Sequence, residues 1–210
     1  MGVEKNILKN INFQFMEISG PLLSWFDTNK RLLPFRENKD PYNVWLSEVM
    51  LQQTKVETVI PYFNKWIKKF PNINAVANAS EERILKSWEG LGYYSRCRNF
   101  HKASRIVVEK YNSRIPGTWN EFRALPGVGD YTAGAVLSIA FNKDYIAIDG
   151  NVKRVMARVT GRKKLSKYNQ NYIKSRLNKH MNKNRPGDFN QALMELGACL
   201  CLPKVPKCVE

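Results

Sequence analysis

The 210-residue sequence predicts an all-α fold. Apolar side chains recur at helical spacing along most of the chain. Proline or a Ser/Thr capping residue stands at several of the predicted helix starts. No segment alternates apolar and polar residues as a half-buried strand does. A chain of this length can bury a real core, as one large domain or two small ones.

The helices of the amino-terminal half follow a poorly patterned stretch at 1–15. Pro21 and Pro41 each suit the first turn of a helix. Thr54 and Glu57 are spaced as a capping box. Residues 33–40 and 90–92 read as loop and turn, and the helix after the turn is strongly basic. The predicted helices are 21–31, 42–53, 55–70, 80–88 and 93–111.

The carboxyl-terminal half is organised around a tight connection between two helices. Thr118 and Glu121 form a second capping box, and Gly127 and Gly129 follow that short helix. Glycine allows positive φ and close backbone approach, and the next helix start suits a phosphate. The pattern is therefore either an ordinary turn or a phosphate-binding hairpin. The predicted helices are 119–124, 131–140, 151–160, 168–182 and 189–200.

The charge predicts a polyanionic partner. The formal net charge is +16, and Lys and Arg are spread along the whole chain. Nucleic acid is the first candidate and an anionic membrane surface the second. No apolar run is long enough to span a bilayer and no signal-peptide pattern is present, so we expect a cytoplasmic protein. Cys97 stands alone, whereas Cys199, Cys201 and Cys208 cluster, which in a reducing compartment favours metal over disulfides.

Two carboxylates are candidates for chemistry. Glu48 lies among apolar neighbours on a predicted helix, where lost solvation would raise its pKa; the alternative is a surface Glu. Asp149 directly precedes a helix, as an N-cap whose charge the helix dipole favours; the alternative is a cap and nothing more. A protonated and a charged carboxyl together suit cleavage of a glycosidic bond.

Five stretches carry a resemblance to a known family. They are WLSEVMLQQT at 45–54, GLGYYSR at 90–96, LPGVG at 125–129, DGNVKRV at 149–155 and FNQALMELGA at 189–198. In this order and spacing they resemble the catalytic region of the MutY-type adenine DNA glycosylases. That family belongs to the endonuclease III-like helix-hairpin-helix superfamily. The resemblance extends from about residue 20 to residue 210.

The resemblance implies excision of adenine mispaired with 8-oxoguanine or guanine in double-stranded DNA. Glu48 matches the acid that protonates the adenine ring and then handles the water, and Asp149 matches the group that stabilises the cation at the sugar carbon. The other matched positions are Tyr131 and Asn151 as orienting catalytic groups, Gln53 and Tyr93 as wedges in the duplex, Arg31 and Gln191 in the adenine pocket, Gly127, Val128 and Gly129 as phosphate contacts, and Lys153 near the site.

Tyr131 bears on the type of reaction. Strand-cleaving members of the superfamily carry a Lys at this position, which attacks the sugar to form a Schiff base. A phenol, with an ordinary pKa of about 10, is a poor substitute for that amine. The resemblance therefore implies base removal without efficient strand cleavage, with Lys153 trapping abasic product only slowly.

The family also carries a [4Fe–4S] cluster held by cysteines in the pattern C-x6-C-x2-C-x5-C. Cys201 and Cys208 match the first two ligands, and the third would follow Glu210. Since about four thiolates are needed, we expect the cluster to be incomplete or absent in this chain. Cys199 matches no ligand position.

The implied fold has two all-α lobes with a cleft between them. Residues 31–141 form a helical barrel lobe that ends in the hairpin at about 119–141, and residues 1–30 with 142–210 form the second, iron–sulfur-type lobe. The family's C-terminal domain that recognises 8-oxoguanine is expected to be absent, which leaves the opposite-base preference open. Phe35 replaces the family's usual Trp and keeps its apolar role.

Two other functions stay open. One is a thymine-mismatch glycosylase of the same superfamily, against which Glu48 argues. The other is a non-catalytic, DNA-binding remnant with an incomplete cluster lobe. For all three functions, the affinity for DNA should fall steeply with salt. We expect a monomer in the cytoplasm, associated with the nucleoid if the source is bacterial.

Overall fold

All regular structure in the computed structural model is helical within residues 18–161 and 167–208, the part of the chain that it describes. This confirms the all-α class. Residues 1–15, which carry no clear sequence pattern, lie outside the described part. The helices are α1 Ser19–Asn29, α2 Pro41–Leu51, α3 Val56–Lys69, α4 Ile73–Ala77, α5 Glu81–Trp88, α6 Tyr94–Tyr111, α7 Trp119–Arg123, α8 Asp130–Phe141, α9 Gly150–Val159, α10 Lys167–His180 and α11 Pro186–Cys199.

The two predicted capping boxes are wrong in detail. Lys55, not Thr54, is the N-cap of α3, and no side chain caps that helix. The hydroxyl of Thr54 instead accepts a hydrogen bond of 3.1 Å from the guanidinium of Arg96. Thr118 precedes α7, but its hydroxyl donates to the Glu121 carboxylate rather than accepting from a backbone N–H. Thr54 therefore binds a side chain distant in sequence, and Thr118 binds the Glu121 side chain, so neither caps a helix backbone as predicted.

Some elements depart from the sequence prediction. The five-residue helix α4 was not predicted; Asn72 caps it by accepting from Ala75 N at 3.0 Å. A short 3-10 helix, Pro34–Arg36, lies inside the predicted loop. Helix α11 begins at Pro186, three residues before its predicted start.

The apolar core has two parts. The larger cluster draws on residues 33–147, and the smaller one on residues 22–26 and 146–193. The larger is centred on the buried aromatic side chains Trp45, Trp66, Trp88, Phe100 and Phe122. The smaller includes Phe26, Val152, Met156, Leu177 and Phe189. The lobe boundaries 31–141 and 1–30 with 142–210 remain a prediction beside this observed division of the core.

Helix α8 positions the segment that leads to Asp149. A Cβ on Gly134 would lie 2.7 Å from the carbonyl oxygen of Ile146, so only glycine lets this segment run so close to α8. Asn190 of α11 fixes the same segment from the other side. It accepts from Ala147 N at 3.1 Å and donates to Tyr145 O at 2.7 Å. The chain thus enters α9 in a defined orientation.

Candidate active site

A groove of about 860 Å³ gathers most of the predicted site residues. It is lined from α2, from the α7–α8 hairpin, from the start of α9 and from α11. Tyr93 and Val128 do not line it. The predicted residues that do are Arg31, Glu48, Gln53, Gly127, Gly129, Tyr131, Asp149, Asn151, Lys153 and Gln191.

Glu48 is buried, with 7% of its surface exposed, and so is not a surface Glu. Burial raises its pKa to about 7, and the charge of Asp149 adds to the rise. The hydrogen bond from Tyr131 and the positive charge of Arg36 act in the opposite direction. A large fraction of Glu48 is therefore protonated at neutral pH, as a general acid requires.

Tyr131 orients the Glu48 carboxyl. Its hydroxyl donates to Glu48 Oε2 at 2.6 Å, and it lies in the first turn of α8. Burial and the nearby carboxylates of Glu48 and Asp149 raise the pKa of Tyr131 well above its ordinary value. The phenol therefore stays protonated and acts as a hydrogen-bond donor rather than as a nucleophile.

Asp149 is the N-cap of α9. Its carboxylate accepts from Val152 N at 2.7 Å and from Asn151 Nδ2 at 2.8 Å. Asn151 is oriented in turn by Arg154, whose Nη2 donates to Asn151 Oδ1 at 2.8 Å. Arg154 also donates to Gly197 O at 2.6 Å. This chain of contacts fixes a negative charge at the positive end of α9, facing the groove that holds Glu48.

Close contact between α9 and α11 at Gly197 supports that arrangement. A Cβ on Gly197 would lie 2.5 Å from the Cβ of Asn151 and 3.1 Å from its Cα. Gly197→Ala is therefore expected to displace Asn151 and to lower the free energy of unfolding by about 1–3 kcal/mol. Because Asn151 orients Asp149, the single-turnover rate should also fall.

Thermal unfolding and single-turnover kinetics check this expectation. Gly20→Ala is the matched control, because a Cβ there meets nothing within 4 Å in helix α1. Wild-type stability and rate in the Gly197→Ala protein would contradict the role of the close contact.

Sequence reasoning assigned no role to Glu195, which is 1% exposed and also lines the groove. Arg31 binds both of its carboxylate oxygens, at 2.7 and 3.0 Å, and Arg36 binds one at 2.8 Å. Burial alone would raise the pKa of Glu195, but these hydrogen bonds outweigh it and lower that pKa to about 2. The four-residue spacing from Gln191 was the signal that could have placed Glu195 on the same helix face.

Two backbone groups of the hairpin, the N–H and the carbonyl of Val128, form hydrogen bonds within the hairpin itself. Val128 is buried, its N–H donates to Leu125 O at 3.1 Å, and its carbonyl accepts from Arg123 at 2.7 Å. Both backbone groups of Val128 thus have partners within the hairpin, and its phosphate contact stays a prediction. Gly127, with φ +77°, is exposed, and Gly129 is the N-cap of α8.

Gln53 and Tyr93 lie together at a second, smaller cavity of about 260 Å³. Both are exposed and both have left-handed backbone, with φ of +57° and +46°. Gln53 and Gly127 line this cavity as well as the groove, so the two spaces adjoin. The predicted wedge residues thus stand beside the predicted catalytic ones.

The cysteine-rich end does not fit a four-thiolate cluster within the described residues. Cys201 Sγ accepts from Arg158 at 3.2 Å, and Cys208 is exposed. In residues 18–161 and 167–208 no three His, Cys, Asp or Glu side chains are grouped as metal ligands. None of the helices in these ranges combines the length and apolar character needed to cross a bilayer.

Comparison with known proteins decides the family. Residues 46–181 match the model of the HhH-GPD superfamily of base excision DNA repair proteins. The chain belongs to the HhH-GPD superfamily. The predicted hairpin at about 119–141 comprises α7, the turn at Gly127–Gly129 and α8.

Curated relatives of this HhH-GPD protein include adenine DNA glycosylases. It is 43% identical over 192 residues to that of Buchnera aphidicola subsp. Baizongia pistaciae, covering 89% of this chain and 54% of the relative. It is 45% identical over 202 residues to the human one, covering 91% of this chain and 37% of the relative. The chain thus spans about half or less of the length of these relatives.

Solved structures confirm the helix-hairpin-helix glycosylase fold. A thermostable thymine-DNA glycosylase matches with a TM-score of 0.81 and 27% identity, over 90% of this chain and 88% of that one. A trapped endonuclease III–DNA covalent intermediate matches with a TM-score of 0.76 and 22% identity, over 90% and 87%. The second likeness bears on the fold alone.

Proposed function

We propose that this HhH-GPD protein hydrolyses the N-glycosidic bond of adenine mispaired with 8-oxoguanine or guanine in double-stranded DNA. The observation that carries the proposal is the buried Glu48, which accepts a hydrogen bond from Tyr131 and lines the same groove as Asp149. The curated relatives that carry the name adenine DNA glycosylase support the choice of base.

The reaction begins with extrusion of adenine from the duplex. The base must leave the stack to reach the groove that holds Glu48, at a cost of a few kcal/mol. Gln53 and Tyr93 enter the duplex and occupy the space that the base leaves. The amides of Gly127 and Gly129 hold a backbone phosphate without reading sequence, and Arg31 and Gln191 line the space that receives the adenine.

Glu48 and Asp149 divide the chemistry. Glu48 donates its proton to the adenine ring as the bond from the base to C1′ breaks and its electron pair leaves with the base. The Asp149 carboxylate stabilises the oxocarbenium ion that remains. Water then attacks C1′ and returns a proton to Glu48. Asn151 holds the Asp149 carboxylate through its amide, and Tyr131 holds Glu48.

The product is an abasic site in an intact strand. Tyr131 occupies the position where an attacking amine would be needed, and its burial beside the Glu48 carboxylate keeps the phenol protonated by raising its pKa. Lys153 lines the groove and offers an amine that traps the sugar aldehyde only slowly. We propose a monomer that works without strand cleavage, in the cytoplasm or at a bacterial nucleoid.

Excision is expected to slow as pH rises through about 7. Only protonated Glu48 delivers the proton, and its pKa is raised to about 7. Above that value the single-turnover rate should fall about tenfold per pH unit. Rates measured at saturating protein from about pH 5 to about pH 9 check this. A rate independent of pH over that interval would mean that Glu48 is not the acid.

A panel of duplexes tests the proposal. Purified protein is mixed with A·8-oxoguanine, A·G, T·G and A·T duplexes, and released bases are separated by chromatography. Adenine released from the first two, with strands intact before alkali, is the expected result. Thymine released from T·G would support the thymine-mismatch alternative instead, and binding with no base released would support the non-catalytic one.

A further inference from the structure

Arg96 is buried even though it lies on the strongly basic helix α6. Its Nη1 donates to the carbonyls of Val49 and Met50, each at 2.9 Å, and to that of Gln52. These are among the carbonyls that the end of α2 leaves without helical partners. A cation there is favoured by the negative end of the helix dipole.

The other terminal nitrogen of Arg96 contacts both the turn after α2 and the turn at residues 90–92. Nη2 donates to Thr54 Oγ1 at 3.1 Å and to the carbonyls of Leu91 and Gly92 at 3.4 Å. The guanidinium carbon also lies 5.4 Å from the centre of the Tyr93 ring. One side chain therefore connects the turn that carries Gln53 to the turn that carries Tyr93.

Both turns hold backbone conformations that need support. Gln53 and Tyr93 are non-glycine residues with positive φ, which is sterically unfavourable. Arg96 binds the carbonyl of the residue directly before each of them, Gln52 and Gly92. The hydrogen bonds of Arg96 hold the backbone of the two turns from inside the protein. The side chains of Gln53 and Tyr93 are exposed to solvent.

We propose that Arg96 is a positioning residue that fixes the spacing of Gln53 and Tyr93, so that both enter the duplex together when adenine is extruded. This inference rests on the proposed function. Arginine suits the task because its planar fork presents five N–H donors in fixed directions, whereas a lysine ammonium presents three on a flexible stem.

Arg96→Lys tests the proposal, since it keeps the charge and loses the fork. The substrate is an A·8-oxoguanine duplex with 2′-fluoro-deoxyadenosine, whose electronegative substituent disfavours the cation and prevents excision. A 2-aminopurine beside the target base brightens when that base leaves the stack. Arg96→Lys is expected to slow the fluorescence rise by about tenfold or more. Arg98→Lys, an exposed change on the same helix, should leave it unchanged.

A double-mutant cycle separates positioning from a general loss of stability. In a Gln53→Ala/Tyr93→Ala protein, Arg96→Lys should have little further effect on extrusion, because the groups it positions are gone. Two results would overturn the proposal. One is that Arg96→Lys slows extrusion as much in the double-alanine protein as in the wild type. The other is that Arg96→Lys alone extrudes the base at the wild-type rate. If the wild type extrudes the base but releases no natural adenine, the proposed function fails while the role of Arg96 is still measured.

Discussion

Asp149→Asn is expected to reduce adenine excision about a thousandfold or more while folding and DNA binding persist. The substitution removes the negative charge that faces the oxocarbenium ion. Asn is as good an N-cap as Asp, so the contact to Val152 N at the start of α9 can be kept. The loss should therefore lie in the chemical step and not in affinity.

Single-turnover kinetics and equilibrium binding to the 2′-fluoro duplex measure the two quantities separately. Asp40→Asn is the matched control, because Asp40 is also an N-cap aspartate, accepts from Asn43 N at 3.0 Å, and lies outside the groove. It should leave the rate unchanged. Excision by Asp149→Asn within about tenfold of wild type would contradict the electrostatic role.

Glu48→Gln is expected to slow excision by about 10²–10⁴-fold, because the amide has no proton to deliver. The same change should stabilise the fold at alkaline pH. Folding raises the Glu48 pKa from 4.5 to about 7, so the wild type loses stability as pH rises between those values. Gln carries no charge and removes that loss, which is at most about 3 kcal/mol.

Chemical denaturation at about pH 5 and about pH 8 tests the stability effect. The free energy of unfolding of Glu48→Gln should exceed that of the wild type at the higher pH, and by much less at the lower pH. Glu82→Gln, an exposed change in the first turn of α5, should show no such dependence. A Glu48→Gln protein that is less stable than wild type at both values would contradict a buried, proton-binding Glu48.

Glu48 and Asp149 could each be singled out as candidate catalytic residues because each lies in a local motif. Glu48 lies in an apolar helix and Asp149 directly before one, and both signals are readable within a few residues. Their convergence on one groove required the family resemblance, since nothing local specifies a contact between positions 48 and 149. Tyr131 was placed by the same resemblance, and its 2.6 Å contact with Glu48 gives that placement a physical basis.

What the sequence missed depends on distant contacts. Thr54 was predicted as a cap because the local pattern contains no sign that Arg96 binds its hydroxyl from α6. Glu195 reads as an ordinary helical Glu until Arg31 and Arg36 converge on it from the other end of the chain. Helix α4 has only five residues, too few for periodicity to register, and is stabilised by packing on α6.

Direct titration of Glu48 tests the central claim most closely. Carboxyl carbons of glutamate, labelled with ¹³C, are followed by NMR against pH, and the Glu48 signal is identified by its loss in Glu48→Gln. A midpoint at about 7 is the expected result. A midpoint at the ordinary value of 4.5, in a protein that still excises adenine at neutral pH, would contradict Glu48 as the proton donor.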